Sequence, residues 1–225
     1  MTANRYGNLL TVLLVIFIIA ILVCGGVLVY NLIVKPNIQK EKKIEAYAEL
    51  EKNAEEEDNT ETEGKDTAIS NTIAPPSEST NSNASTTKKK TYYEGFVMIG
   101  YITIPKTNVK EPILDSVTPD SLNTAVAALY PSNPKLNEPG NVVIIGHNYR
   151  NGQFFSDNDK LSVGDKVLIK DTTGRELSYT IYQKFQTTDT DTSFYTRDTN
   201  GVPEITLSTC TDDSKARIII LAKAD

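Results

Sequence analysis

Residues 204–223, "EITLSTCTDDSKARIIILAK", contain two apolar runs separated by a short polar one. EITLSTC (204–210) and RIIILAK (217–223) read as β-strands, because β-branched and apolar residues fill a pleated, half-buried surface well. TDDSKA (211–216) reads as the turn that folds one strand back on the other. Side chains alternate along a strand, so Ile205, Leu207 and Thr209 share one face. Thr206, Ser208 and Cys210 share the other. The end of the first strand of a hairpin lies beside the start of the second, which brings Arg217 next to Cys210. The plainest role for Arg217 at this position is a strand-edge cation paired with Asp212 or Asp213.

Upstream, the same pattern recurs. GFVMIGYITI (95–104), NVVIIGH (141–147), KVLIK (166–170) and LSYTIYQKF (177–185) are strand-like, and VKEPIL (109–114) is a weaker case. SLNTAVAAL (121–129) reads as a short helix with Asp120 as its N-cap. Many short strands joined by Gly, Pro and Asn/Asp turns predict an all-β sandwich or barrel over residues 91–225. That length supports one hydrophobic core without help.

The rest of the chain has a different character. Residues 1–8 are a short tail. Leu9 to Val34 carries no charge and exceeds the roughly 20 residues that cross a bilayer core as a helix. A cleavable secretory signal has a shorter apolar region. A single-pass membrane anchor is therefore expected over 9–34. ILVCG (21–25) is a poor lipoprotein signal, because Val23 is bulky, so Cys24 reads as a small lipid-facing residue. Lys35, Lys40, Lys42 and Lys43 follow the span, which on charge alone favours a cytoplasmic C-terminal side. Residues 35–90 are expected to form a charged stalk and a low-complexity linker. IQKEKKIEAYAELEKNAEEE (38–57) is helix-friendly but offers few apolar positions. Asp58 to Lys90, rich in Ser, Thr, Asn, Glu and Lys, buries too little apolar surface to offset its ordering entropy. NAST (83–86) is a glycosylation sequon of a kind common by chance.

The net charge of −6 and the lack of a basic stripe argue against nucleic acid as a partner. Two cysteines, Cys24 and Cys210, do not make a disulfide scaffold. His147 is the chain's single histidine. One Cys and one His are too few ligands for a metal site. A cysteine nucleophile works as its thiolate, a minor species for an ordinary thiol at neutral pH, so an imidazole normally assists it. Acyl transfer also needs donors where the oxyanion develops, and a guanidinium fork supplies them. Cys210, His147 and Arg217 together therefore match the parts of a thiol acyltransferase.

TLSTC followed by a nearby Arg, with GH ending an upstream strand, resembles the sortases, the cysteine transpeptidases of Gram-positive cell surfaces. The resemblance covers residues 95–225. It implies a closed eight-stranded β-barrel with short helices, preceded here by one transmembrane helix and a flexible stalk. It implies Cys210 as nucleophile on the Thr–Gly bond of an LPXTG-like sorting signal, His147 as general acid and base, and Arg217 as oxyanion and substrate stabiliser. Thr209, Ser208 and Asn148 are expected at the substrate, with Thr209 shaping the site. The implied partners are LPXTG-like surface proteins, and the acceptor amine is that of a peptidoglycan cross-bridge or a pilin lysine. The resemblance places the catalytic domain outside the cell membrane, against the charge reading. An unpaired external Cys210 then suits a working thiol.

Within that resemblance, the short segment between Cys210 and Arg217 looks like class D or class B-like sortases, and the lack of a large helical insertion between Gln186 and Pro203 argues against a typical class B enzyme, so the reading leans to class D-like with class B-like as the alternative. TTDTDTSFYTRDTNG (187–201) is expected as a mobile loop over the substrate groove. No cofactor is expected. Asp189, Asp191 and Glu138 are the residues a calcium ion would use, but solvated acidic loops are the preferred reading. A membrane-tethered thiol hydrolase and a non-catalytic extracytoplasmic β-barrel binding module are the alternatives.

Overall fold

The computed structural model describes residues 3–62 and 89–225. The low-complexity linker over most of 58–90 and the sequon at 83–86 lie outside the described residues. The chain divides into two compact units, Met1–Glu45 and Ala46–Asp225.

The first unit is helical. Helix α1 spans Ala3–Val29, so the expected tail is helical from residue 3 onward. A π-helical turn, Tyr30–Val34, follows and leads into helix α2, Lys35–Thr62. Apolar side chains from Leu10 to Val34 are exposed all round, which is how a helix that meets lipid presents itself. This helix is long and apolar enough to cross a membrane. Cys24 is an exposed free thiol on it.

The second unit is built on a sheet that closes on itself. Its strands are β1 (Thr91–Tyr93), β2 (Phe96–Ile104), β3 (Val109–Leu114), β4 (Val126–Tyr130), β5 (Gly140–Ile145), β6 (Lys166–Asp171), β7 (Glu176–Thr187), β8 (Pro203–Cys210) and β9 (Arg217–Ala224). The order is β2-β3-β4-β5-β8-β9-β7-β6, and β6 pairs back onto β2 to close an eight-stranded barrel. The three-residue β1 adds to the free end of β2. Closure removes the unpaired edges that an open sheet would expose. Gly100 sits at the seam, where β2 leaves β1 for β6; a Cβ there would collide with the Lys170 carbonyl and with Leu136.

Ile102, Ile113, Ile144, Ile169, Ile205 and Leu207 fill the barrel interior. Ile205 and Leu207, which alternation puts on one face, both point into this interior. The expected helix over 121–129 is corrected. Helix α3 covers only Pro119–Thr124, and Val126–Tyr130 is strand β4. Its N-cap is Thr118, not Asp120: Thr118 Oγ1 accepts from Ser121 N at 3.0 Å, and Ser121 Oγ accepts from Thr118 N at 2.8 Å. Short Ala side chains that read as helix formers are here the buried rungs between β3 and β5.

A second correction concerns the stalk. Ala46, Tyr47 and Leu50 are buried on the outer face of the barrel against Tyr93, Met98, Tyr101 and Leu114, and Ala54 is buried one turn further on. Residues 46–56 are therefore part of the folded unit and not a solvated stalk. The few apolar positions fall one turn apart and suffice for a single narrow stripe. Polar contacts fix the register. Glu51 Oε1 accepts from Tyr101 Oη at 3.0 Å and from Lys170 Nζ at 3.1 Å. Asn53 Nδ2 donates to Thr91 Oγ1 at 2.9 Å. Lys110 Nζ lies over both the Tyr47 and Tyr101 rings.

Candidate active site

Strands β5 and β8 run parallel, with Ile145 beside Ser208. Beyond the end of β5, Gly146 N donates to the Ser208 carbonyl, and the Gly146 carbonyl accepts from Thr209 Oγ1 at 2.8 Å. Continuing this register by two residues sets His147 level with Cys210. Strands β8 and β9 are antiparallel, and Cys210 is the direct partner of Arg217. His147, Cys210 and Arg217 thus come from three neighbouring chain segments. All three line one cavity of about 240 Å³.

Gly146 is required by this arrangement. A Cβ on it would meet Val126 Cγ1 at 2.8 Å and Phe155 Cδ2 at 2.9 Å, both on buried side chains. The glycine lets the chain leave β5 flat against the barrel and deliver the next side chain to the cavity.

Arg217 Nη1 donates to Cys210 Sγ at 3.1 Å. The expected pairing of Arg217 with Asp212 or Asp213 is not formed. Asp212 accepts from Asn148 Nδ2 at 2.9 Å, and Asp213 accepts from Thr211 Oγ1 and Lys215 N. Among the described residues Arg217 makes no ion pair with a carboxylate. Its charge is left to the sulfur and to the cavity, where it also opposes the upward shift that burial gives the Tyr195 phenol. No side chain among the described residues hydrogen-bonds either ring nitrogen of His147. Its ring instead faces Tyr149, with centroids 4.9 Å apart.

The three residues expected at the substrate separate. Ser208 lines the cavity with its hydroxyl unclaimed among the described residues. Thr209 also lines it, but its buried hydroxyl braces Gly146. Asn148 follows His147 and is not among the residues that line the cavity. Its amide donates to the Cys210 carbonyl at 3.1 Å and to Asp212 Oδ1, so both its donors are engaged in tying the His147 loop to the 211–216 turn.

The cavity's remaining wall is apolar and acidic. Leu122, Leu129, Ile145, Phe194 and Tyr195 supply the apolar surface, and Asp189 and Asp191 stand at its rim. Phe194 and Tyr195 come from the β7–β8 loop, which covers the cavity as expected. Its centre is fastened from beneath. Arg197, mostly buried, donates through Nε to Glu204 Oε2 at 2.7 Å and through Nη1 to Thr206 Oγ1 at 2.6 Å. Its Nη2 lies 2.7 Å from the same Glu204 oxygen, off the hydrogen-bond direction. Asn141 Nδ2 donates to the Phe194 and Tyr195 carbonyls. Nothing in the local sequence marks Arg197, Glu204 or Asn141 for this task, because the pairing depends on strand order.

Asp191 is held below the usual carboxylate range by hydrogen bonds from Thr187 Oγ1 and Ser193 N. Glu138 borders a different cavity, near β1 and the β6–β7 turn, so the calcium trio of Asp189, Asp191 and Glu138 is not assembled. Among the described residues there is no group of three or more metal-ligating side chains.

A thiol, a free imidazole and an unpaired guanidinium around one apolar cleft can perform nucleophilic acyl transfer. Comparisons with known proteins point the same way. A family model of the Sortase domain matches residues 102–225. Sortase A of Bacillus anthracis is 30% identical over 141 residues, which are 61% of this chain and 61% of that protein. The chain thus aligns with less than two thirds of that relative's length. Among solved structures, a Clostridium perfringens Sortase D5 transpeptidase superposes with a TM-score of 0.51 at 32% identity, over 57% of this chain and 79% of that one. Sortase C1 of Streptococcus agalactiae, in complex with MTSET, gives 0.52 at 26% identity, over 57% and 69%.

Proposed function

Because the chain belongs to the sortase family, we propose that it is a membrane-anchored cysteine transpeptidase with Cys210 as its nucleophile. The observation that carries this reading is the Arg217 guanidinium, bonded to Cys210 Sγ at 3.1 Å, without a carboxylate partner among the described residues, in a cavity that also holds the chain's only histidine. A buried or strand-edge arginine with a purely structural task normally keeps a carboxylate or several carbonyls.

The reaction follows from these groups. The Cys210 thiolate attacks the Thr carbonyl of an LPXTG-like peptide. The developing oxyanion is met by Arg217. His147 as imidazolium gives its proton to the departing glycine nitrogen, the C–N bond breaks, and a thioester remains on Cys210. An incoming amine attacks that thioester, His147 accepts its proton, and the thiolate leaves. The apolar wall of Leu122, Leu129, Ile145 and Phe194 suits the aliphatic part of such a signal. The amine comes from a peptidoglycan cross-bridge or a pilin lysine. Helix α1 anchors the protein, and the barrel works outside the membrane. The short Cys–Arg turn and the likeness to the Sortase D5 enzyme support a class D-like assignment.

The test uses the full chain in detergent micelles with a panel of LPXTG-like peptides, with and without an added amine such as triglycine. The expected result is a peptide joined to the amine after Thr, absent with Cys210→Ala and His147→Ala. Peptide cleaved at Thr but never joined to any amine would make the protein a hydrolase. No cleavage of any peptide, with a thiol no more reactive than free cysteine, would favour the binding module.

A further inference from the structure

The His147 ring makes no hydrogen bond within the described protein, yet proton transfer demands that it stay within reach of both sulfur and substrate. The structure shows what confines it. Tyr149, two residues on, faces the imidazole at 4.9 Å between centroids with 31° between planes. On its other side Tyr149 meets Phe154, a buried ring 5.7 Å away. The phenol does not swing freely. Its Oη donates to Asn123 Oδ1 at 2.9 Å, and its backbone N donates to Ser156 Oγ at 3.0 Å. Asn123 belongs to α3, the helix whose Leu122 lines the reaction cavity. The chain reverses tightly here to allow the stack: Phe155 N donates to the His147 carbonyl, and Asn148 bridges Phe154.

We propose that Tyr149 is the positioning residue for His147, and that Asn123 fixes Tyr149 from α3. This rests on the acyl-transfer reading given above. Histidines are commonly oriented by a hydrogen bond at one ring nitrogen, which also selects the tautomer. A stacked ring orients the imidazole without occupying either nitrogen. Aromatic pairs at this separation hold a preferred geometry. Both nitrogens stay available, so the same imidazole can give a proton to the departing amine and take one from the arriving amine. The stack also ties the histidine to the wall that contacts substrate, through Asn123 and Leu122 of one short helix. The sequence offers the tyrosine two residues after the histidine, but not the Asn123 contact, which spans 26 positions.

The experiment compares Tyr149→Ala, Tyr149→Leu, Tyr149→Phe and Asn123→Ala with the unaltered chain in micelles. Peptide turnover is read with triglycine as acceptor, and the His147 ring-proton shifts are read by NMR. His147 is the only histidine, so its signals need no separate assignment. Tyr149→Ala and Tyr149→Leu should lower kcat by about tenfold to a hundredfold with KM within about twofold. Both should remove the ring-current shift on the imidazole. Tyr149→Phe and Asn123→Ala should keep most of that shift and lose no more than about threefold in kcat. Leucine fills the space without a π face, so it separates stacking from packing. Unchanged kcat in both ring-less variants, or an effect on KM alone, would overturn the proposal. The NMR readout needs no turnover: an unchanged ring-proton shift in Tyr149→Ala overturns the stack even if no peptide is cleaved. Conversely, an intact stack with no turnover in the unaltered chain sinks the functional reading and not the geometry.

Discussion

Helix residues 46–56 and loop residues 188–202 each cover an outer face of the same barrel, and they do so by opposite means. The helix lays down Tyr47 and Leu50 against Tyr93, Met98 and Leu114, with Glu51 and Asn53 completing the contact. Its stability comes from apolar area and regular spacing. The loop carries Phe194 and Tyr195, but its position is set by a buried ion pair, Arg197–Glu204, and by the Asn141 amide. The helix belongs to a stretch outside the part of the chain that the Sortase model matches, while the loop lies inside it and lines the reaction cavity. The helix rests mainly on apolar area, with Glu51 and Asn53 fixing its register, whereas the loop depends on a buried polar frame that sets it at one place, which is what a substrate wall needs.

If that contrast is sound, the two covers should fail differently. The largest effect is expected from Arg197→Ala. It leaves Glu204, nine-tenths buried at its side chain, without its cation and Thr206 without a donor, a loss of roughly 3–5 kcal/mol. Urea unfolding followed by tyrosine fluorescence reads it, since the chain has eleven Tyr and no Trp. KM for the peptide should rise at the same time, because Phe194 and Tyr195 lose their seat. Unchanged unfolding and unchanged KM would show that the loop is held by other means. Leu50→Ala should cost about 2–5 kcal/mol by removing a fully buried side chain, yet leave kcat and KM within about twofold at temperatures where the chain stays folded. A selective loss of turnover there would erase the distinction between the covers.

The smallest effect concerns pH. The hydrogen bond from Lys170, and behind it that from Tyr101, holds the Glu51 carboxyl below the usual glutamate range. A carboxyl lowered in the folded state contributes stability that is present above its unfolded value and is lost as pH falls through the folded one. Glu51 is partly exposed, so its share is no more than about 1 kcal/mol. Melting temperatures of the unaltered chain and Glu51→Gln should therefore differ near neutrality and converge in acid, below the ordinary glutamate range. A constant gap across that range would remove Glu51 from the account of how the helix docks.

Much of the barrel was legible because its strands are long runs of β-branched residues with turn signals between them. β2, β5, β6, β7, β8 and β9 fall where alternation and composition put them, within a residue or two. The Cys210–Arg217 juxtaposition followed from a six-residue polar turn alone. What escaped was non-local. Val126–Tyr130 has helix-like composition and becomes a strand because β3 and β5 leave a gap of that width. Tyr47 and Leu50 look sparse in a charged helix, and only the presence of Tyr101 and Met98 opposite makes them a core. His147 could be suspected from chemistry, but its alignment with Cys210 depends on a parallel pairing of strands whose partners are 63 positions apart in the chain. The hydrogen-bond partners of Asn148, Cys210 and Asp212, are likewise distant in sequence.

The most direct test of the central claim is to trap the acyl-enzyme. The full chain in micelles is mixed with an LPXTG-like peptide without acceptor, quenched in acid, and digested for mass spectrometry. The account predicts a peptide truncated at Thr, attached to the fragment that carries Cys210, released by hydroxylamine and missing in Cys210→Ala. A hydroxylamine-stable adduct, an acyl group on another residue, or cleavage that persists in Cys210→Ala would contradict it.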